Sequence, residues 1–586
     1  MATVNQNKTT CAAEVTAFGG IDASSSCGDG GIAVDLKNFK VLADGSLCRR
    51  SGFSVLRELG GAVRGARVFS GEDGAFLLLA VGASVHFLPL FEGEETSAEV
   101  LQTTAGKVIF FSHGGEIYLT DGVELYHRLG GADFEVCRGY APLYGKDWNS
   151  TNNFNPVNEP VNLASDKVRF HYVAGTIFKT LHLGIKLASV DKIMEGDVER
   201  TYAHTLSEDG RTLVFTSGFQ PTKPVTIYAT VDPSYFHDAD LRAARGVAHY
   251  DAFRGSRVML LGGGDGSRIF VSRPVSEESL AASRVEWANT TSLYFPKGGE
   301  VTLESRQAIT SMGRVGDRMA VFTADEAFIT EELTGVADEV TALPLRSLLG
   351  TVGCGSPEGF AVTSGDAPIT VSRGGIYRWR IDPQLDTVPS VTCISSGIAP
   401  LLPHDCFRRA RLFYLPQEDV LWLLLPGDPE GRVFLYDCAR ECWYSYVGID
   451  AESLLIADGQ VGFYGKNAVS FFDGALEEDL LAFGAREIVG SFEGRSMDFG
   501  NVEATKRLLA VGGVASLGGE LAVSLYDGGL LDEVVLTGEG EEASAFLMRV
   551  AHRRFRQLSL RLRATGKSPC RILRLCVHTT KERKNI

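Results

Sequence analysis

The stretch LFYLPQEDVLWLLL (residues 412–425), followed by VFLY (residues 433–436), sets the pattern of the whole sequence. Two apolar and aromatic runs flank the short polar segment PQED, which is typical of two antiparallel strands joined by a tight turn. The segment PGDPEGR then provides a second turn, because Gly, Pro and Asp are the residues that turns favour. The pattern therefore predicts a meander of short strands.

Paired short runs of this kind recur along the chain, separated by turns that contain Gly or Asp. The further predicted hairpins are residues 75–80 with 85–88, 108–112 with 116–120, 257–261 with 268–272, 318–323 with 327–331, 369–372 with 375–380, and 461–464 with 468–472. Hairpins that cannot bury a core alone must pack on one another, and this repetition favours a β-propeller. The pattern predicts six to eight blades, with seven as the best count.

Two segments interrupt the hairpin repeat and divide the chain into four predicted parts. Residues 1–159 hold an N-terminal segment and the first propeller blades, and residues 160–232 form an inserted small β-sandwich. Residues 233–487 hold the remaining blades, and residues 488–586 form a C-terminal β-sandwich with a basic tail. The predicted strands of this second sandwich are 497–499, 506–511, 520–526, 533–536 and 554–563, and short helices are expected near 238–245 or 276–283.

Aromatic side chains within the predicted hairpins are candidates for the core. We expect six of them to be mostly buried between sheets: Phe110, Phe270, Phe322, Tyr377, Phe434 and Phe471. Truncation of a buried aromatic residue to Ala typically costs about 3–5 kcal/mol. Trp422, Trp443, Tyr444 and Tyr446 form the richest aromatic region, and core packing is expected there rather than stacking on a sugar.

Composition excludes several classes of protein. The chain has 586 residues, of which 44% are hydrophobic and 22% charged, so it is not mainly disordered. No apolar run approaches the roughly 20 residues that span a bilayer, and the opening MATVNQNKTT lacks the pattern of a signal peptide. Eleven cysteines, an odd number, argue against a complete disulfide framework. We therefore expect synthesis and folding in a cytoplasm, without a membrane span.

Charge is distributed unevenly along the chain. The formal net charge is −16, yet residues 551–586 contain eleven Lys or Arg and one acid. Such asymmetry is typical of contacts with a subunit or partner. We expect Arg553, Arg554, Arg556 and Arg561 to contribute to contacts with acidic surface on a neighbouring molecule. The simpler interpretation is an alternating strand whose arginines face water.

A search for catalytic and metal-binding motifs gives no site. The chain lacks a phosphate-binding loop, an HExxH pair and a GxSxG motif. The glycine-rich run 262–266 joins two predicted strands and is interpreted as a hairpin turn. Cys438 and Cys442 have the spacing of a zinc-ligand pair, but no second tight pair follows. We expect no catalytic, cofactor or metal site, and no chemical turnover by the purified chain.

An enzymatic alternative stays open. A propeller can assemble carboxylates from different blades around its axis, as glycosidases do. The candidates are Asp317, Asp325, Asp437 and Asp473, although their positions in Gly- and Asp-rich turns offer a simpler explanation. His113 with His127, and His404 beside Asp405 and Cys406, are the nearest approaches to a histidine cluster. The alternative function is a propeller glycan-binding protein or hydrolase, such as a phage depolymerase.

Several ordered segments resemble bacteriophage tail-nozzle and related neck or tail β-propeller proteins. The segments are FGGID (18–22), DLKNFKV (35–41), DGSL (44–47), RRSGF (49–53), RVML (257–260), IFVS (269–272), LYFP (293–296), ITSM (309–312), DRMAVF (317–322), VFLYD (433–437), CWY (442–444), FFDG (471–474) and MDFG (497–500). PVNL (160–163) resembles versions from phages of Gram-positive hosts. The order of the segments carries this resemblance, since each is short.

The resemblance implies a structural virion protein in a symmetric, commonly hexameric, ring that lines or gates the DNA exit channel. Its partners would be other neck or tail proteins, such as the adaptor and fibres, and double-stranded DNA would pass without specific binding. An acidic wall would suit that role, because carboxylates repel DNA phosphates. A nozzle of a short-tailed phage and a neck component of a long-tailed phage both fit. A host interaction scaffold is a third possibility.

Overall fold

The computed structural model describes residues 10–71, 74–90, 95–130, 133–144, 158–236, 238–251, 256–303, 305, 307–330, 345–348, 352–380, 390–500, 502–566 and 570–581. Predictions that concern residues 1–9, Glu331, Lys567 or 582–586 lie outside this range. The described residues form short strands with only three short α-helices, so the chain is all-β. None of its described helices is long and apolar enough to cross a membrane.

The chain forms two compact units. The terminal unit comprises Met1–Ala62 and Cys354–Ile586, and the central unit comprises Val63–Gly353. The terminal unit opens with five short strands: β1 (Thr10–Val15), β2 (Ala33–Lys37), β3 (Phe39–Val41), β4 (Leu47–Arg49) and β5 (Phe53–Glu58).

The central unit contains four antiparallel sheets of four strands, each a meander in chain order. The first two are β6 (Val63–Gly71), β7 (Gly74–Val81), β8 (Ser84–Pro89) and β9 (Thr96–Glu99), then β10 (Ile109–His113), β11 (Glu116–Thr120), β12 (Leu125–Arg128) and β13 (Glu135–Val136). An insertion of seven strands follows: β14 (Lys167–Tyr172), β15 (Phe178–His182), β16 (Leu187–Glu195), β17 (Val198–Glu199), β18 (His204–Leu206), β19 (Thr212–Phe219) and β20 (Val225–Val231).

The third and fourth sheets complete the central unit. They are β21 (Gly246–Asp251), β22 (Ser256–Leu261), β23 (Arg268–Val271) and β24 (Glu300–Thr302), then β25 (Ile309–Val315), β26 (Arg318–Thr323), β27 (Ala327–Thr330) and β28 (Leu345–Leu348). The first strands of the four sheets, β6, β10, β21 and β25, contact one another in this order. Apolar residues of neighbouring sheets therefore share cores, such as Phe111 with Leu260 and Met259 with Val321.

The insertion has a core of its own. Its strands form two sheets, in the order β14-β20-β16-β17 and β15-β19-β18. Phe170, Tyr172 and Phe178 are at most 1% exposed and belong to one apolar cluster with Leu213 and Ile227. Alternation of apolar and polar residues along β20 accounts for this packing, because every second side chain of a strand faces the same side.

Three short helices connect strands of the central unit: α1 (Pro233–Phe236), α2 (Ala239–Arg242) and α3 (Glu277–Glu286). The sequence predicted a short helix near residues 238–245 or 276–283, and the structure has one at each place. The Asp238 carboxylate accepts hydrogen bonds from the first backbone N–H groups of α2, and the Ser276 hydroxyl accepts one from Ser279 N–H. Such N-caps satisfy N–H groups that have no partner within the helix.

Three further antiparallel meanders belong to the terminal unit, one a four-stranded sheet and two parts of larger sheets. Their strands are β29 (Phe360–Thr363), β30 (Ala367–Ser372), β31 (Gly375–Arg380), β32 (Ser390–Cys393), β33 (Arg411–Leu415), β34 (Val420–Leu424), β35 (Val433–Asp437), β36 (Cys442–Tyr446), β37 (Ser453–Ala457), β38 (Gln460–Tyr464) and β39 (Ala468–Phe472). The last sheet gains its fourth strand from the start of the chain, since β5 pairs antiparallel with β39. A short hairpin, β40 (Glu478–Leu481) and β41 (Gly484–Glu487), extends this sheet beyond β5.

A β-sandwich ends the terminal unit. Its strands are β42 (Gly490–Gly494), β43 (Lys506–Leu517), β44 (Glu520–Tyr526), β45 (Leu530–Thr537), β46 (Gly540–Arg549), β47 (Arg554–Phe555), β48 (Ser559–Thr565) and β49 (Cys570–Lys581). One layer has the order β3-β4-β49-β43-β46, with β1 also beside β49 and β47 beside β43. The other joins the sheet of β33–β36 through β2 and continues as β42-β48-β44-β45.

The predicted hairpins are confirmed at all seven places. Each pair of runs forms adjacent antiparallel strands, and the quoted stretch 412–425 forms β33 and β34 with β35 next to them. The glycine-rich run 262–266 is the turn between β22 and β23. Local alternation and turn residues were sufficient for these strands because each pairing partner lies close in sequence.

Three features differ from the sequence analysis. Residues 1–159 were grouped together, but β1, β2, β4 and β5 pair with strands after Cys354, over 400 residues away. The predicted strand 554–563 is broken, since Leu558 leaves it to bridge Met497. Strands β46 and β49 were missed altogether.

Four of the six predicted core aromatics are buried. Phe110, Phe270, Phe322 and Phe434 are at most 3% exposed. Tyr377 and Phe471 are half-buried, so they lie less deeply than the other four. Phe471 covers Gly462 on the neighbouring strand, where an added Cβ would lie 2.7 Å from the ring.

A buried ion pair ties β5 to the hairpin that extends its sheet. Arg50, just before β5, places Nη1 and Nη2 each 2.8 Å from the two carboxylate oxygens of Asp479. Both side chains are at most 2% exposed. Arg486 bonds the same carboxylate at 2.8 Å, and Asn38 accepts from Arg50 Nε at 2.9 Å. The network joins segments that are more than 400 residues apart in sequence.

Candidate interaction surface

One side of the C-terminal sandwich leaves both of its layers open. Strand β45 pairs with β44 and ends one sheet, and β46 pairs with β43 and ends the other. Among the described residues, neither strand has a partner on its outer side. An open edge offers a row of backbone N–H and C=O groups to another chain. We call the outer side of β45 and β46 the open edge.

Apolar side chains accompany the unpaired backbone of the open edge. Leu547 is 66% exposed and Met548 41% exposed on β46, and Leu530 and Val535 are 56% and 45% exposed on β45. Single exposed apolar residues are common on soluble proteins, but their concentration on edge strands is a recognised risk for association. The open edge therefore has the properties of a surface that another chain covers.

Charge changes sign along the open edge. Glu539 directly precedes β46, Glu542 lies near its start and Arg549 at its end, and all three are exposed. Strands rise about 3.3 Å per residue, so roughly 25–30 Å separates the two ends. Exposed Arg553 and Arg556 follow in the loop after β46 and extend the basic end.

The four arginines predicted to contact a neighbour are all exposed, but they differ in their local bonds. Arg561 bonds Glu493 of the same chain at 2.6 Å and lies over the ring of Tyr526. Arg554 is engaged within the chain as well. Of the predicted set, Arg553 and Arg556 are the side chains best placed to meet a partner.

A second apolar projection belongs to the hairpin β40–β41. Phe483, at its tip, is 97% exposed, and Leu480 and Leu481 on β40 are 40% and 39% exposed. This hairpin was not among those predicted from the sequence, although the run DLLAFG (479–484) is apolar next to a glycine turn. It is a second surface of the terminal unit with exposed apolar side chains.

Three of the four candidate catalytic acids lie in turns or loops, and Asp437 is the last residue of β35. The side chain of Asp317 is 97% exposed, and Asp325 accepts from the Gln307 amide at 2.6 Å. Asp317 directly precedes β26 and Asp325 comes after its end, so the two residues lie beyond opposite ends of the strand. Asp437 accepts the backbone N–H of Arg440, and Asp473 that of Ala475, both at 2.9 Å. Within each unit the structure does not bring these acids together into a carboxylate pair.

The candidate cysteine and aromatic residues are part of the core. Cys442 is buried and Cys438 is half-buried, and burial raises the pKa of Cys442 to about 11 and of Cys438 to about 12. No group of three possible metal ligands occurs among the residues that the structure describes. Trp422, Trp443, Tyr444 and Tyr446 are at most 8% exposed, which confirms core packing there.

The proposed histidine groups do not form a site. His404 and Asp405 are exposed, whereas Cys406 is buried at the start of a 3₁₀ turn. His113 on β10 and His127 on β12 belong to one sheet but lie on strands separated by β11. His127 is 2% exposed, and its Nδ1 accepts the Arg138 backbone N–H at 3.0 Å.

Acid is expected to destabilise the central unit through its buried histidines. Burial lowers the pKa of His127 to about 4, and burial together with His249 does the same for His113, from an ordinary 6.5. The unfolded chain therefore binds these protons as pH falls through 6.5, and the folded chain only near 4. Stability is full above 6.5 and is lost between 6.5 and 4, by about 2 kcal/mol per histidine at pH 5.

Urea unfolding at pH 7.5 and pH 5, followed by hydrogen exchange in β10–β12, measures this loss. The variant His127→Gln should reduce the pH dependence, because the Gln amide oxygen can still accept the Arg138 N–H without titrating. Equal slopes in the two proteins would show that His127 does not carry the effect.

Comparisons with known proteins identify no family. No family profile and no curated protein matches the chain. A solved structure of PorZ, a surface component of the type-IX secretion system of Porphyromonas gingivalis, is 11% identical, with a TM-score of 0.26 over 89% of this chain and 76% of that one. The extracellular domain of a one component system from B. thetaiotaomicron is 9% identical, with a TM-score of 0.22 over 89% and 91%. Similarity at this level carries no argument about function.

Proposed function

We propose that this chain is a non-enzymatic structural protein of a bacteriophage virion, a ring-forming component of the tail nozzle or head–tail neck that lines or gates the DNA exit channel. The ordered sequence segments that resemble this family support the proposal. The observation that carries it furthest is the open edge, where unpaired backbone, exposed apolar side chains and both signs of charge coincide.

We also propose that seven antiparallel meanders, four in the central unit and three in the terminal unit, are the blades of a β-propeller. Contacts between the first strands of consecutive sheets support this arrangement, since the innermost strands of blades are neighbours around the propeller axis. The antiparallel pairing of β5 with β39 supports it further, because a blade made from both ends of the chain is a means of closing the circle.

A ring of identical subunits needs a heterologous contact, in which two different surfaces of the protein meet. The open edge supplies one such surface, and covering it would remove the unpaired strands from solvent. Each contact should bury on the order of 1,000 Å² or more. Charges at the rim of the contact, such as Arg553 and Arg556, would then determine how the two subunits align and how fast they associate. Salt would weaken the attraction between these charges and the neighbouring subunit.

Charge reversal tests the proposed contact. We expect Arg553→Glu with Arg556→Glu to shift the purified chain from closed rings towards monomers, with the larger effect at low salt. Mass photometry and negative-stain images at 50 and 500 mM NaCl measure this. Lys179→Glu with Lys223→Glu, an equal charge change at two exposed sites of the insertion, is the matched control.

Two results would contradict the proposal at different levels. If the double variant assembles like the wild type, Arg553 and Arg556 do not contribute to the contact between subunits, although the ring itself could still form. A chain that remains monomeric at all concentrations, and is absent from the axis of its source particle in cryo-electron microscopy, would overturn the ring and the virion role. Hydrolysis of host-envelope glycans by the purified chain would favour the enzymatic alternative.

A further inference from the structure

A polar cavity lies within the central unit, beside the first strands of three consecutive sheets. Its volume is about 590 Å³. The polar side chains in its wall come from β6, β10, β21 and β22: Arg67, Ser70, Ser112, His113, His249 and Ser256. A cavity of this size can hold a small ligand with several polar groups.

His113 lies in the wall of this cavity, and one of its ring nitrogens is a buried atom without a hydrogen bond to the described residues. The residue is 8% exposed, and its Nδ1 bonds none of the residues that the structure describes. Buried polar atoms are almost always hydrogen-bonded in native proteins, and an exception calls for a water, ion or ligand. Burial and the neighbouring His249 lower the pKa of His113 to about 4, so its ring is neutral at pH 7 and carries one N–H donor.

The charge of the wall favours an anion. None of the described residues in the wall is Asp or Glu, although the whole chain has a net charge of −16. Arg67 provides a fixed positive charge, because one guanidinium nitrogen donates to the Phe110 carbonyl at 2.9 Å and leaves other N–H groups for a ligand. Three serine hydroxyls add donors of the kind that bind oxyanions.

The charged groups next to His113 on its packed strands have partners elsewhere. Glu116 lies opposite His113 in the β10–β11 register, and its carboxylate accepts from Tyr118, Ser292 and Arg284. Arg257 on β22 is buried and donates to the Ser272 carbonyl. Arg67 and the two histidines therefore determine the charge that a ligand in the cavity meets.

We propose that this cavity binds a phosphate group, either as free phosphate or as part of a nucleic acid backbone. The guanidinium of Arg67 supplies the charge-assisted hydrogen bonds that a phosphate favours. His113 supplies a neutral N–H donor, and the serines complete the set of donors. The site does not depend on ring formation, so it stands or falls separately from the virion role.

Inorganic phosphate is the first probe. We expect the full chain at pH 7 to bind it saturably at one site, as measured by calorimetry and by ³¹P line broadening. Arg67→Gln should weaken binding at least tenfold, because the exposed guanidinium is lost while the fold keeps its core. His113→Gln should weaken binding as well, and Lys179→Gln should leave it unchanged.

A 20-base-pair DNA duplex then distinguishes the two sources of phosphate. Displacement of bound phosphate by the duplex would assign the site to a nucleic acid backbone, and failure of the duplex to compete would assign it to free phosphate or a small phosphate ester. Absence of saturable phosphate binding would overturn the proposal. So would equal affinity in the wild type and Arg67→Gln, with both folded by circular dichroism.

Discussion

Replacing Asp479 with Asn is expected to destabilise the terminal unit by about 3–5 kcal/mol. The substitution leaves Arg50, whose side chain is 2% exposed, without its carboxylate partner, and the unpaired buried charge is the main cost. Arg486 loses the same partner, which adds a second uncompensated guanidinium beside the first. Because Arg50 precedes β5 and Asp479 lies on β40, the loss should be greatest where these two strands meet.

Hydrogen exchange resolved along the chain, combined with urea unfolding, measures this effect. Protection in β5 and β40 should fall strongly. Glu493→Gln is the matched control, since its pair with Arg561 is exposed on both sides and exposed pairs contribute less than about 1 kcal/mol. Equal losses in the two variants would show that the Arg50 pair behaves like a surface pair.

Truncating Phe434 to Ala is expected to cost about 3–5 kcal/mol. Phe434 lies in the middle of β35 and is 1% exposed, within the largest apolar cluster of the terminal unit. The guanidinium of Arg432 lies 4.6 Å from the centre of its ring, so the truncation also removes a cation–π contact.

The variant Phe471→Ala shows whether the loss of stability in Phe434→Ala depends on how deeply the aromatic ring is buried. Phe471 is half-buried in the same unit, so the same chemical change should cost clearly less. Urea unfolding followed by hydrogen exchange in β35 and β39 compares the two. A larger loss for Phe471→Ala would contradict the packing of both sheets.

The sequence predicted those strands whose partners are their neighbours in the chain. Hairpins such as β33–β34 combine an apolar alternation with turn residues, and both signals are local. The pairing of β1, β2, β4 and β5 with distant strands leaves no local signal, because a short run such as Phe53–Glu58 fits many partners equally well. Its choice of partner depends on packing over the whole unit.

The two missed strands show different physical causes. Strand β46 is an exposed edge, so the segment GEEASAFLMR has no buried face to impose alternation. Strand β49 does bury alternate residues, but a register shift beside Val514 and Ala515 inserts Leu573 and interrupts the pattern. The basic tail was visible in the sequence, whereas the open edge beside it required the pairing of strands to be known.

The cavity of the central unit could not be found from the sequence for a related reason. Arg67, His113 and His249 are spread over nearly 200 residues, and no motif links them. They meet because each lies on the first strand of its own sheet. The burial of Tyr377 and Phe471 was also not predictable from the sequence, because aromatic character alone does not determine how deeply a side chain is buried.

The pairing of β5 with β39 also constrains how the protein can be made. A ribosome that has finished β5 must add roughly 400 more residues before β39 exists, which takes about 20–80 s at 5–20 residues per second. During that interval β5 has apolar side chains but not its final neighbour. Closing so long a loop is entropically costly and slow. The nascent chain thus needs its remaining sheets to fold first, and the first strand synthesised in that sheet is the last to be placed.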